Sequence, residues 1–148
     1  MNETLPLAGI KVVELGQNVA GPYAGLIFAS LGADVVKIER PVGGDDARGW
    51  SPVLATGSSS TFEAMNRGKK SIALDLNDAD EMKRLRKHIA DCDVLLHNLR
   101  PGVMEQLGLG AERLTSDNPR LVYCNLTAFG HMGSLQSKPG YEPIVQAF

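Results

Sequence analysis

Apolar positions fall into five short runs, and the segments between them are either helical in spacing or rich in Gly, Pro and Ser. Residues 10–15 (IKVVEL) and 34–40 (DVVKIER) are mostly apolar and β-branched, as strands covered on both faces require. Between them, Pro22 suits the first turn of a helix. Leu26, Ile27, Ser30 and Leu31 supply a stripe, and Gly32 supplies the stop. The short separation requires a crossover helix, hence parallel strands and a right-handed connection. Residues 41–60 lack periodicity and read as a long loop, a length that in compact domains signals function or disorder, and Trp50 and Arg48 argue for function. Residues 61–70 begin helical and end in a turn, and residues 71–76 (SIALDL) form the third strand. Asn77 or Asp78 caps a helix over 79–90 with Met82, Leu85 and Ile89 on one face. The fourth strand spans 93–99. Pro101 opens a short helix through Leu107, and a second short helix begins at Ala111 and stops near Pro119. The fifth strand spans 121–126, and residues 127–140 are loop. Residues 140–148 (GYEPIVQAF) start an amphipathic helix with no stop signal, so the chain reads as the front part of something longer.

Alternating strands and helices define the open α/β class, in which ligands gather outside the carboxyl ends of the strands. The 148 residues suit one domain. A net charge of −2 gives no electrostatic case for nucleic acid or an acidic membrane surface. Two cysteines, Cys92 and Cys124, are too few for a disulfide scaffold and read as buried, inert thiols. The start has no secretory pattern and no run approaches a membrane span, so the expected location is the cytoplasm.

Topology selects the turns that could carry chemistry. The first, Gly16-Gln17-Asn18-Val19-Ala20-Gly21-Pro22, has small residues and a helix start able to bind an anion. It lacks the G-x-G-x-x-G spacing of a dinucleotide site. Arg40, ending the second strand, is a phosphate or adenine contact or else a solvated charge. The turn Asn66-Arg67-Gly68-Lys69-Lys70-Ser71 could neutralise phosphates, although small cationic clusters are more often solvated. Asn98-Leu99-Arg100 closes the fourth strand, either as ligand donors or as a helix cap.

In order, the chain carries an AGP turn, VVKIER with a GD-x-x-RGW loop (Gly44, Asp45, Arg48, Gly49, Trp50), NRGKKSIALDL, DVLLHNLRPGVMEQLGL, NPRLVYCNLTAFG and GYEPIVQA. From Leu7 onward this sequence resembles the N-terminal part of the family III CoA-transferases, the CaiB/BaiF family. That group contains formyl-CoA transferase, carnitine CoA-transferase and the α-methylacyl-CoA racemases. The resemblance implies a Rossmann-like open, mostly parallel sheet with helices on both faces, residues 1–148 being the CoA-binding segment of its large domain. It also implies an interlocked homodimer. The substrates implied are acyl-CoA and a small carboxylic acid, with no tightly bound cofactor and no metal. An Asp would attack the acyl-CoA thioester and pass through mixed-anhydride and aspartyl-thioester intermediates. That Asp is expected beyond Phe148; Asp45 and Asp46 lie in the wrong loop to replace it.

Carried across by motif, the CoA contacts fall on Val19 and Ala20, on Arg40, on Leu74, Asp75, Leu76 and Asn77, and on Asn98, Leu99 and Arg100. Gln106 stands where the family often has Arg, which removes one phosphate partner. Val19 stands where formyl-CoA transferase has a functional Gln, which argues against formyl-CoA and oxalate as the substrate pair. Glu142 falls on an active-site Glu position. Tyr141 replaces the racemases' proton-carrying His, and its ordinary pKa of about 10 suits transfer better than racemisation. The rival readings are a racemase-like enzyme, a CoA-binding fragment without chemistry, and a fragment of an NAD-dependent oxidoreductase.

Overall fold

The structure is a computed structural model that describes residues 5–140, 146 and 147. Tyr141 and Glu142, and most of the helix expected after residue 140, lie outside the described residues. Five strands, β1 (Lys11–Leu15), β2 (Asp34–Glu39), β3 (Lys70–Ala73), β4 (Val94–His97) and β5 (Val122–Asn125), form one sheet in the order β3-β2-β1-β4-β5. Every pairing among them is parallel. The strand order reverses at β1, whose neighbours are β2 and β4. The crevice beyond the carboxyl ends of β1 and β4 is therefore the switch point at which such sheets bind ligands.

Alternation along the strands divides the core in two. Val13 and Leu15 of β1, Ile38 of β2 and Leu95 of β4 face one side, where they meet Leu85 and Ile89 of α3 (Ala79–Ala90), Met104 of α4 (Val103–Gln106) and Leu114 of α5 (Ala111–Asp117). Val12, Val35, Val94 and Leu96 face the other side and pack on Ala24, Phe28 and Ala29 of α1 (Ala20–Ser30). Helices thus cover both faces. The expected boundaries of α3 hold, and Asp78 is its cap, accepting from the N–H groups of Asp80 and Glu81 at 2.9 Å each.

Three expectations about local structure change. The third strand, expected over 71–76, is Lys70–Ala73. Leu26, Ile27, Ser30 and Leu31 do not form the buried stripe of α1. That face is Gly21, Pro22 and Gly25, with Ile27 and Leu31 exposed. Small residues bring the helix close to the sheet. A Cβ on Gly25 would sit 1.9 Å from Glu14 Oε2, and one on Gly21 would sit 2.7 Å from Gly16 Cα. The segment 41–60 is also more ordered than a plain loop. It holds a 3₁₀ turn at Asp46–Gly49 and a bridge between Val53 and Ser59. Ser59 caps α2 (Ser60–Asn66), accepting from Phe62 N–H at 2.9 Å, and its hydroxyl donates to Ala47 O.

Candidate functional site

β1 and β2 each carry a charged residue in the middle of a buried ladder, and register places Glu14 directly beside Lys37. Lys37 Nζ lies 3.2 Å from Glu14 Oε1 and 2.8 Å from Asp45 Oδ2, and donates to Gly16 O at 2.6 Å. Lys69, from the cationic turn, reaches the same Glu14 through Oε2 at 2.7 Å and also donates to Pro22 O at 2.7 Å. All four side chains are buried. Burial pushes the Lys69 ammonium below its ordinary pKa, even against the attraction of Glu14. Buried charges persist only where partners and hydrogen bonds satisfy them, and here those bonds run to the backbone of the first turn. Asp45 completes the frame by accepting from Asn18 N–H at 3.0 Å and from Ala47 N–H at 2.9 Å. Asn18 has the positive φ of 62° that this turn demands.

Glu39, at the end of β2, occupies the place where a dinucleotide fold keeps its ribose acid. It is fully engaged. Arg48 donates to it twice, Nε to Oε2 at 2.7 Å and Nη2 to Oε1 at 2.8 Å. Asp45 N–H and the Ser71 hydroxyl add two more bonds. Burial alone would raise its pKa, but these donors outweigh burial and hold it at about 2. The Arg48 guanidinium also stacks 3.8 Å above the Phe62 ring. The GD-x-x-RGW loop is thereby pinned to β2, and Glu39 has no capacity left for a ribose diol.

Asn98 clamps the first turn from the other side. Its Oδ1 accepts from Gln17 N–H at 2.8 Å and its Nδ2 donates to Gln17 O at 2.9 Å. It is not a helix cap, a position that Gly102 takes for α4. Its side-chain amide is thus committed to the protein, while the residue itself still lines the space beyond.

A cavity of about 730 Å³ opens at the switch point. Gln17 to Ala20 supply one wall and Asn98 to Pro101 the other, with Trp50 at the edge and residues 126–128 and 138–140 opposite. No side chain caps α1 and no acid sits in its first turn, so the helix presents its positive end to this space. Arg100 and Lys138 line the cavity, and Asp46, the acid on its wall, is paired with Arg40. The balance favours a negatively charged ligand.

A second cavity of about 290 Å³ shares Arg100, Pro101 and Thr127 with the first and is also lined by His97, Glu105, Asn125 and His131. His97 is 2% exposed. Burial depresses its pKa to about 4, so the imidazole is neutral at physiological pH.

Of the residues singled out from sequence, Val19, Ala20, Asn98, Leu99 and Arg100 come together around the larger cavity. Arg40 lies just outside it, donating from Nε to Gly44 O at 3.0 Å. Leu74 does not offer a side chain, because that side chain belongs to the core at 1% exposure. Asp75, Leu76 and Asn77 form the turn between β3 and α3, in which Asp75 Oδ1 accepts from Asn77 N–H at 2.9 Å. Gln106 is exposed on α4 and lines neither cavity. Cys92 is buried as expected and Cys124 only half-buried; burial pushes the Cys92 thiol up to about 11 and that of Cys124 upward as well. Sequence reasoning passed over His97 and Asn125, which read as ordinary strand residues.

Fold and site define an open parallel α/β protein with a cavity at its switch point and without the dinucleotide motif. The sequence profile of CoA-transferase family III matches residues 7–148, and the chain belongs to that family. It is 37% identical over 147 residues to human succinyl-CoA:glutarate CoA-transferase, covering 99% of this chain and 34% of that protein. It is 41% identical to acetyl-CoA:oxalate CoA-transferase of Acetobacter aceti, covering 96% of this chain and 36% of the relative. A crystal structure of a CAIB/BAIF family protein from Brucella suis superposes with a TM-score of 0.91 at 40% identity, covering 98% of this chain and 39% of that one. The chain therefore spans about a third of the length of these relatives. Among the described residues, no helix is long and apolar enough to cross a membrane.

Proposed function

We propose that the protein is an acyl-CoA:carboxylate CoA-transferase and that residues 7–148 form its coenzyme A-binding unit. The observation that carries this reading is the 730 Å³ cavity at the switch point, walled by Val19, Ala20, Asn98, Leu99 and Arg100. Its positive helix end and its cations suit the phosphates of the carrier. Arg40 and the turn 74–77 follow at the carboxyl ends of β2 and β3, where the adenosine end would extend; Leu74 can contribute only backbone there.

In the proposed reaction, an enzyme carboxylate attacks the acyl-CoA thioester and forms a mixed anhydride while the CoA thiolate leaves. The thiolate returns to the enzyme's carbonyl, releasing the first acid and leaving an enzyme-bound CoA thioester. The second acid then repeats both steps in reverse, so that no net redox change or metal is needed. Asp45 is paired with Lys37 and Asp46 with Arg40, which supports placing the attacking group elsewhere. The reading includes the family's interlocked homodimer and a cytoplasmic location.

Titration calorimetry with CoA and with NADH, beside a transfer assay using succinyl-CoA and a panel of free carboxylic acids, tests it. The expected result is CoA binding, no NADH binding and exchange of CoA between acids. NADH binding without CoA binding would contradict it.

A further inference from the structure

Two buried polar groups in the smaller cavity have no partner among the described residues. Both ring nitrogens of His97 are without a hydrogen bond, and so is Asn125 Oδ1. They are register partners in the β4–β5 ladder and so project side by side from the sheet. Leaving such groups unpaired is unfavourable by about 1–3 kcal/mol each, and native proteins rarely tolerate it without a reason. The imidazole is also held in a fixed plane. It meets the Tyr123 ring edge to face, with centroids 5.3 Å apart and planes at 74°. Tyr123 is in turn anchored by its hydroxyl, which donates to Leu109 O at 3.1 Å.

The chemistry of the cavity selects its occupant. A neutral imidazole offers one donor and one acceptor. Asn125 Oδ1 adds an acceptor. The charged groups on the walls, Arg100 and Glu105, oppose each other. A carboxylate or phosphate would meet Glu105 and an amide oxygen, and an ammonium would meet Arg100. A neutral group that both donates and accepts fits, and a secondary amide, which the pantetheine arm carries, is one such group. The cavity is a neighbour of the larger one, the two having Arg100, Pro101 and Thr127 in common in their walls. A ligand whose anionic head lies in the larger space would have an amide-bearing arm next to the smaller.

We propose that the His97–Asn125 cavity is an amide-recognising subsite that takes an amide of the pantetheine arm, His97 and Asn125 being its hydrogen-bonding residues. This rests on the coenzyme A reading given above and adds two contacts that neither the motif order nor the relatives assign.

Calorimetry on the full-length protein with CoA and with adenosine 3′,5′-bisphosphate, which lacks the arm, tests it. His97→Phe and Asn125→Leu are expected to weaken CoA by about tenfold or more, the equivalent of about 1.4 kcal/mol, and to leave the nucleotide unchanged. His97→Gln, which keeps a donor and an acceptor, is expected to bind CoA within about threefold of the parent. His97→Phe should also melt no lower than the parent, because it removes an unpartnered buried polar group. Equal CoA affinity in the parent and in His97→Phe would overturn the subsite and leave the CoA reading standing. Failure of the parent to bind CoA at all would overturn both. Parallel loss of both ligands in His97→Phe and His97→Gln would show that His97 only supports the surrounding loop, and would also overturn the subsite.

Discussion

The carboxyl ends of β1 and β2 and those of β4 and β5 carry similar polar side chains in opposite condition. On the β1–β2 side, Glu14, Lys37, Asp45, Lys69, Glu39 and Arg48 satisfy one another and the backbone of the first turn. On the β4–β5 side, His97 and Asn125 Oδ1 are unpartnered among the described residues, and Arg100 faces both cavities. The first region is a closed frame, and the second, on the proposed reading, is the receptor. Asn98 joins them, since it sits at the end of β4 yet clamps Gln17 in the frame. Charge at a strand end is therefore no guide to ligand contact by itself. What matters is whether its hydrogen-bonding capacity is already used.

The sharpest way to break this contrast is to remove one charge from each side. Lys37→Met leaves Glu14 and Asp45 buried without their shared cation and should destabilise the fold by about 3–5 kcal/mol, measured by urea denaturation. Arg100→Ala should change stability by no more than about 0.5 kcal/mol while weakening CoA binding. If the two variants were equally destabilised, the distinction between frame and receptor would be wrong. Gly25→Ala should follow, at about 1–3 kcal/mol, because its Cβ would meet Glu14 Oε2 at 1.9 Å.

Acid sharpens the contrast further, because the two regions titrate in different windows. His97 falls from its ordinary 6.5 to about 4, so the unfolded chain takes up the proton first. Stability should decline as pH drops from about 6.5 to 4. Glu105 and His131 face the same group, the acid easing its protonation and the second imidazole opposing it. Glu39 falls from 4.5 to about 2, so its contribution is present above about 4.5 and is lost on the way down to 2. His97→Phe should flatten the first slope and Glu39→Gln the second, each leaving the other intact, in melting curves taken across pH. The smallest effect belongs to the exposed Lys83–Asp80 pair. Lys83→Ala should alter stability by less than about 0.5 kcal/mol.

The strand and helix pattern was legible because parallel strands covered on both faces must be apolar and because caps such as Asp78 act locally. The family was legible because its motifs recur in order. The face that α1 buries was not. Apolar periodicity pointed to Leu26, Ile27 and Leu31, whereas close approach to the sheet selected Gly21 and Gly25, which carry no hydrophobic signal. The frame left a trace that strand composition hid. Glu14 and Lys37 interrupt otherwise apolar runs, and their pairing depends on a register that no local rule supplies. Leu74 illustrates the converse. Its place in a family motif suggested a ligand contact, but just past the end of β3 the same residue fills the core. His97 and Asn125 become visible as a pair only once β4 and β5 are laid side by side.

The central claim is that coenzyme A occupies the cavity between the ends of β1 and β4. Hydrogen–deuterium exchange of the protein with and without saturating CoA tests it most directly. The account predicts slowed exchange in residues 17–20, 98–103 and 126–128, with α5 and the exposed face of α3 unaffected. Binding that leaves those three segments unprotected, while slowing exchange elsewhere, would contradict it.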